Sequence, residues 1–209
     1  MVSKQGARQL WDKKFFLAKG KRGVVYKSVL DGKVFLLKSR NPCSNANNTV
    51  AGEAMFNKAL NKTGVGPKFY YYDKENDFLV REFVEGVPFN KWVENASKEE
   101  LLGALIEVLV QCRKMDLLGI NKYEMTNPYK DIIVRGGEPV LIDFERCRYT
   151  QRPKNVTQFC QFLSKGRMKD VLSRHNVSLD ALNDLANNYK KDYDKEKFDK
   201  IKIFLRESF

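Results

Sequence analysis

The stretch VLIDFER, Val140 to Arg146, runs three apolar residues directly into an aspartate, Asp143. A strand that ends on a carboxylate either meets solvent there or presents the acid to a ligand. Asp131 stands just ahead of a second apolar run, Ile132-Ile133-Val134. With Gly136-Gly137 at the centre of a hairpin turn, Asp131 falls nearly opposite Ile142. Asp143 is then about one position from its cross-strand neighbour, and the two carboxylates are expected roughly 5–8 Å apart. Carboxylates that close repel unless a cation compensates them. Mg²⁺ commonly takes one or two carboxylates together with phosphate oxygens, so Asp143 and Asp131 are a candidate metal pair. The plain alternative is two strand-end acids, each hydrogen-bonded locally.

A second acid sits where an acid is costly. In VAGEAMFNKALNK, Val50, Glu53, Phe56 and Leu60 share one helical face, which puts Glu53 on the apolar side. A carboxylate there needs a cation, unless it serves only as a first-turn acid complementing the helix dipole. Lys38, which ends the apolar run VFLLK, is the available partner. Upstream, in AKGKRGVV, Gly20 and Gly23 bracket two cationic residues in a strand–turn–strand setting. Glycines let backbone N–H groups approach phosphates, although many hairpins carry two glycines without any ligand.

Other chemistries find no support. The sequence has no G-x-x-x-x-G-K-[ST], no G-x-S-x-G and no H-E-x-x-H. Its four cysteines, Cys43, Cys112, Cys147 and Cys160, form no C-x-x-C pair, and His175 is the one histidine, which argues against zinc. The cysteines read as reduced thiols used as small apolar residues. The 38 Lys and Arg against 26 Asp and Glu leave a net charge of +12, which favours polyanionic partners such as RNA, DNA or nucleotides. No run approaches the roughly 18 apolar residues of a membrane span, and MVSKQGARQLWDKK has no apolar signal core. A soluble, cytoplasmic protein without a membrane partner is expected.

The elements that must position these residues are legible in outline. Residues 14 to 41 alternate apolar and polar around Asp31-Gly32, a hairpin signal, with an earlier strand before Gly20. A polar loop leads to the helix of Glu53, with a cap expected at Asn48 or Thr49. GVGPKFYYYD and NDFLVREFV read as two more strands. The remainder is helical with one interruption. Ser97 and Glu100 form a capping box ahead of a long helix whose core face is Leu101, Leu105, Val108 and Cys112. An irregular stretch, NKYEMTNPYK, precedes the hairpin of Asp131 and Asp143, and two or three helices complete the tail. The expected class is α+β, with a boundary between residues 1–84, an antiparallel sheet with one helix, and residues 85–209, mainly helical.

Taken together, a glycine-rich hairpin, strand lysine, helix glutamate, strand pair, long helix, irregular loop and Asp-Phe hairpin follow the order of the protein-kinase signature set. AKGKRGVV resembles G-x-G-x-x-G-x-V, with Ala18 for the first glycine and Val25 for the valine; VFLLK resembles V-A-I-K; IDFE resembles the D-F-G segment. The sequence is more similar to small atypical kinases of the RIO type and to the kinase of the KEOPS complex. It is more similar still to an uncharacterised archaeal family of predicted serine/threonine kinases, through KYEMTNPYKDIIV and IDFERCRYTQRPKNVTQF, and the likeness spans roughly residues 14 to 165.

The resemblance implies a two-lobed fold with a reduced helical C-lobe, ATP and Mg²⁺ as cofactors, and phosphoryl transfer to a protein serine or threonine, with a sugar or drug hydroxyl as the open alternative. Gly20, Gly23 and Val25 would cover the nucleotide, Lys38 oriented by Glu53 would bind its phosphates, and the backbone of Glu82 to Val84 would meet adenine. Asp143, helped by Asp131, would hold the metal, and Glu124 would act as the catalytic base. The sequence departs from the pattern in several further places. Lys122-Tyr123-Glu124 takes the H-R-D place, and seven positions rather than five separate Glu124 from Asp131. Glu145 replaces the glycine of D-F-G, which removes a hinge, and Arg81 replaces an apolar residue beside adenine. No A-P-E-like stretch follows; instead Arg146, Arg148, Arg152 and Lys154 form a basic cluster, able to hold acidic substrate or RNA phosphates or to be simply solvated. Two other functions therefore stay open: an ATP-switched module acting on RNA or a ribonucleoprotein, and a pseudokinase scaffold.

Overall fold

The structure, a computed structural model, describes residues 2–45 and 49–209, and of Thr49 the backbone alone. The chain is α+β, with antiparallel sheets and eight α-helices among the described residues. It divides into two compact units, Met1–Glu85 with Ile142–Cys147, and Gly86–Leu141 with Arg148–Phe209. The segment that carries Asp143, expected with the second part of the chain, packs with the first.

In the first unit, alternation builds a sheet with two usable faces. After helix α1 (Lys4–Asp12) come β1 (Phe15–Lys19), β2 (Gly23–Leu30), β3 (Lys33–Arg40), helix α2 (Thr49–Asn61), β4 (Phe69–Asp73) and β5 (Phe78–Glu82). The strand order is β1-β2-β3-β5-β4. Asp31 and Gly32 take φ of 50° and 72°, the two left-handed residues that a tight hairpin turn requires. Phe35, Leu37, Phe78 and Val80 point to one face, where Ala7 and Leu10 of α1 cover them. The other face carries Leu79, against which Val50 and Ala54 of α2 pack. Lys38 pairs with Leu79 across β3 and β5, and Leu36 with Arg81, so both cations lie on the α2 face. The cap expected at Asn48 or Thr49 lies outside the described residues.

Helix α1 was not expected from the sequence. Ser3 caps it by accepting from the Gly6 amide, and its Trp11 stacks on Phe78 at 4.4 Å between centroids. At the other end of α2, buried Asn57 donates to the Pro67 carbonyl at 2.8 Å, and Asn61 accepts from the Phe69 amide at 2.6 Å. These amides tie α2 to the entry of β4 and so fix the rotation that points Glu53 at the sheet.

The second unit contains β6 (Val87–Pro88), α3 (Phe89–Trp92), α4 (Lys98–Leu117), β7 (Ile120–Lys122), β8 (Ile132–Arg135), β9 (Glu138–Leu141) and, but for its first residue, β10 (Cys147–Tyr149). Four helices follow: α5 (Asn155–Leu163), α6 (Gly166–Ser173), α7 (Leu179–Tyr189) and α8 (Lys195–Ser208). The tail thus holds four helices where two or three were expected. The capping box of α4 forms as its sequence indicates, and Leu101, Leu105, Val108 and Cys112 are all buried. The β8–β9 hairpin pairs Arg135 with Glu138 and Ile132 with Leu141, around Gly136-Gly137. Gln111 of α4 holds that hairpin by both ends of its amide, donating to the Pro139 carbonyl at 2.7 Å and accepting from the Leu141 amide at 3.3 Å. The short strand β6 pairs with β8 to make a three-stranded sheet. No helix among the described residues is long and apolar enough to cross a membrane.

Candidate functional site: a lysine among three carboxylates

The first unit brings its two buried cations, Lys38 and Arg81, to one place. Lys38, with 6% of its surface exposed, lies 2.6 Å from Glu53, 3.1 Å from Asp143 and 3.0 Å from Glu145. Arg22 reaches the second oxygen of Glu145 at 3.3 Å, and buried Arg81 approaches Glu53 at 4.0 Å. Three cations thus meet three carboxylates, so the cluster is neutral as it stands. Burial pulls the Lys38 ammonium down, but the fields of Glu53, Asp143 and Glu145 outweigh it and the net shift is upward, which keeps Lys38 charged. Arg81 is lowered, chiefly by burial, with Glu53 opposing. Arg81, which the sequence left without a partner, therefore faces Glu53.

The hairpin that precedes Lys38 is built around it. Gly20 and Gly23 close the β1–β2 turn, with the Gly20 amide donating to the Gly23 carbonyl at 2.8 Å. A Cβ on Gly23 would stand 2.7 Å from Cε of Lys38, whereas one on Gly20 would meet nothing closer than 3.5 Å. Gly23 is glycine because the lysine side chain passes over it. Val25, also expected at the site, pairs across the strands with Lys38. The hairpin is stitched down by Asn41, a residue with no sequence signal of its own. Its side-chain amide donates to the carbonyls of Gly20 and Lys21 at 2.9 and 3.3 Å, and its own N–H donates to the Arg22 carbonyl at 2.8 Å.

Asp143 takes φ of 59°, a left-handed conformation that aspartate tolerates better than most residues. This bend ends the strand direction of β9, buries Phe144 and turns Glu145 to within reach of Lys38. Oxygens of Glu53, Asp143 and Glu145 all lie within 4.8 Å of one another. As hard oxygen donors they suit a divalent cation in kind, with Lys38 supplying positive charge at the same place. At the proposed adenine contact, the Glu82 amide already donates to the Lys68 carbonyl at 2.8 Å, and the Glu82 carboxylate accepts from the Lys68 amide at 3.0 Å. Val84 is half-buried in the segment that follows β5.

Glu124 and Asp131 belong to the second unit and share a different cation. Lys122 is fully buried, with its ammonium 3.3 Å from Glu124 and 3.6 Å from Asp131. Its position comes from a network that the sequence did not reveal. Asp116 of α4 accepts from the amide and side chain of Asn155, from the Val156 amide and from the Tyr189 hydroxyl. It thereby caps α5 from another helix, where a carboxylate complements the dipole. Asn155 in turn accepts from the Lys122 amide at 2.8 Å and donates to the Ile120 carbonyl at 2.7 Å, which pins β7 and the 3₁₀ turn Tyr123–Thr126 behind it. Burial pushes the Asp116 carboxyl up to about 6, with the four donors pulling it part of the way back. Arg152 and Lys154 of the basic cluster line a cavity of about 670 Å³ together with Lys190 and Lys191, and no carboxylate residue lines it.

No family model matches the sequence. An uncharacterized protein of Methanocaldococcus jannaschii is 26% identical over 115 residues, which cover 53% of this chain and 98% of that protein. That relative is itself uncharacterized, so the similarity brings no activity to this chain.

Proposed function

We propose that this chain is a Mg²⁺- and ATP-dependent phosphotransferase, an atypical serine/threonine protein kinase with a kinase-like two-lobed fold and a reduced helical C-lobe. The observation that carries the reading is the buried Lys38 on β3, held at 2.6 Å by Glu53 of α2 and at 3.1 Å by Asp143, beside a glycine hairpin whose tip is anchored by Asn41. A fixed, charged ammonium beside a glycine turn suits phosphate oxygens, and phosphoryl transfer rests on positioning and charge neutralisation. In this reading Lys38 binds the α- and β-phosphates and Glu53 orients it. Asp143 would hold Mg²⁺, which when bound neutralises the phosphate charge. Glu124 orients the acceptor hydroxyl, and buried Lys122, 3.3 Å away, holds that carboxylate in place.

Labelled ATP tests this directly. Wild type is expected to transfer phosphate to itself or to a generic protein acceptor, or to hydrolyse ATP slowly. Asp143→Ala and Lys38→Met are expected to lower the rate at least a hundredfold. Wild type with neither transfer nor hydrolysis, matched throughout by Asp143→Ala, would remove the reading.

One observation favours a second reading, in which ATP switches the docking of the protein on RNA or a ribonucleoprotein. The cavity lined by Arg152, Lys154, Lys190 and Lys191 is cationic and concave, as a phosphate backbone requires. The salt dependence of RNA affinity tests it.

A further inference from the structure

Glu145 stands where a phosphate would be needed. One of its oxygens lies 3.0 Å from Lys38 and the other 3.3 Å from Arg22, and its side chain is only 8% exposed. Lys38 has three N–H groups, and it faces three carboxylates at 2.6 to 3.1 Å. The ammonium is therefore already ringed by anions, with its hydrogen bond directed at Asp143. Glu53 is held from α2 within the sheet face, and it also faces Arg81. Glu145, by contrast, hangs from the short segment after the bend at Asp143, and its far oxygen is tied to the glycine hairpin through Arg22. Of the three carboxylates, it is the one that bridges the lysine to the hairpin.

We infer that Lys38 and Arg22 form a phosphate subsite and that Glu145 occupies it as an intramolecular competitor, displaced when a phosphate-bearing ligand enters. The inference rests on the nucleotide reading above and adds to it a ligand contact, Arg22, and a built-in brake. A carboxylate bridging an ammonium and a guanidinium mimics two oxygens of a phosphate in charge and in spacing. A phosphate joining it would add uncompensated negative charge to a cluster that is already neutral, so the two anions disfavour each other. The protein that binds ligand is therefore the fraction with Glu145 withdrawn, and the apparent affinity is lowered by that fraction.

Binding of MgATP, and of inorganic tripolyphosphate, to the full chain should be measured for wild type, Glu145→Gln, Glu145→Asp and the double variant Arg22→Ala/Glu145→Gln. Thermal melts would show that each is folded. Glutamine keeps the shape and loses the charge, so Glu145→Gln is expected to bind MgATP about tenfold more tightly than wild type. Glu145→Asp, a methylene shorter and unable to span both cations, should fall between them. Arg22→Ala in the Glu145→Gln background should give back about tenfold in affinity. In parallel, acetylation of Lys38 by acetic anhydride without nucleotide, read by peptide mass, should be faster in Glu145→Gln. Equal or weaker MgATP binding by Glu145→Gln, with wild type binding, overturns the competitor and leaves the nucleotide reading intact. Equal acetylation rates also overturn it. If neither protein binds MgATP or tripolyphosphate, the subsite and the nucleotide reading fall together.

Discussion

At the scale of single residues, Lys38 explains why its neighbours are what they are. Gly23 is set by the lysine stem 2.7 Å from where a Cβ would stand, while Gly20 has room for one. The two glycines of a motif that reads symmetrically in sequence therefore have different jobs. Gly23→Ala is expected to push the Lys38 stem aside and to weaken nucleotide binding at least tenfold, with a small loss of stability. Gly20→Ala should leave both nearly unchanged. Calorimetric binding and urea unfolding of the two variants check this, and equal effects would remove the distinction. Glu53 has the reverse role, being needed for stability as well as for orientation. Its side chain is 1% exposed and faces both Lys38 and Arg81. Glu53→Gln leaves two buried cations short of an anion, and is expected to cost about 3 kcal/mol in urea unfolding.

At the scale of elements, side chains with buried polar ends decide where the candidate residues stand. Asp116 caps α5 from α4 and, through Asn155, fixes β7 and the turn that carries Glu124. Its carboxyl lies near 6 in the folded protein against 3.8 as a free side chain, so the native state holds the proton more tightly than the unfolded chain. Raising the pH from about 4 to 7 therefore removes stability through this group, by about 3 kcal/mol. Asp116→Asn cannot ionise. The stability advantage of wild type over this variant should shrink by that order across the same range, as read from urea midpoints. A constant difference would show that burial does not raise the carboxyl. The same network marks the limit of what the sequence discloses. Asp31-Gly32 and the Ser97–Glu100 box are local signals, complete within a few residues, and the structure has both. The Lys38–Glu53 pairing was legible because an acid on an apolar helix face and a lysine ending an apolar strand each demand a partner. Asn41, Asn57, Gln111 and Asn155 make no such demand, since an amide reads as surface until its carbonyl partner, often distant in sequence, is known. Strand β6, of two residues, exists only by pairing with β8. Helix α1 did leave a signal, Ser3 ahead of Ala7 and Leu10 on one face, but it was masked by the basic residues around it.

At the scale of the whole molecule, the net charge of +12 is spread over many side chains, but in the second unit it has a concave focus. Of the cluster Arg146, Arg148, Arg152 and Lys154, only Arg152 and Lys154 line the cavity, joined there by Lys190 and Lys191 from the end of α7 and the turn after it. Proximity in sequence overstated the cluster on one side and missed half of it on the other. If the four cations bind a phosphate backbone, each releases condensed counterions. A single-stranded RNA should then lose affinity with salt at a log–log slope of about −3, four contacts at about 0.7 each. Lys190→Gln/Lys191→Gln should halve that slope and weaken binding at low salt more than at high salt. Nitrocellulose filter binding of a labelled RNA between 50 and 200 mM KCl, with and without MgATP, would measure it. Nonspecific attraction by the charge of the whole surface predicts something else: a slope that the double variant barely changes, because two of 38 cationic side chains are then a small share. A slope halved by those two positions, and altered by MgATP, would join the cavity to the proposed nucleotide site as parts of one function. A slope indifferent to both would leave Lys38 and its carboxylates as the whole of the functional case.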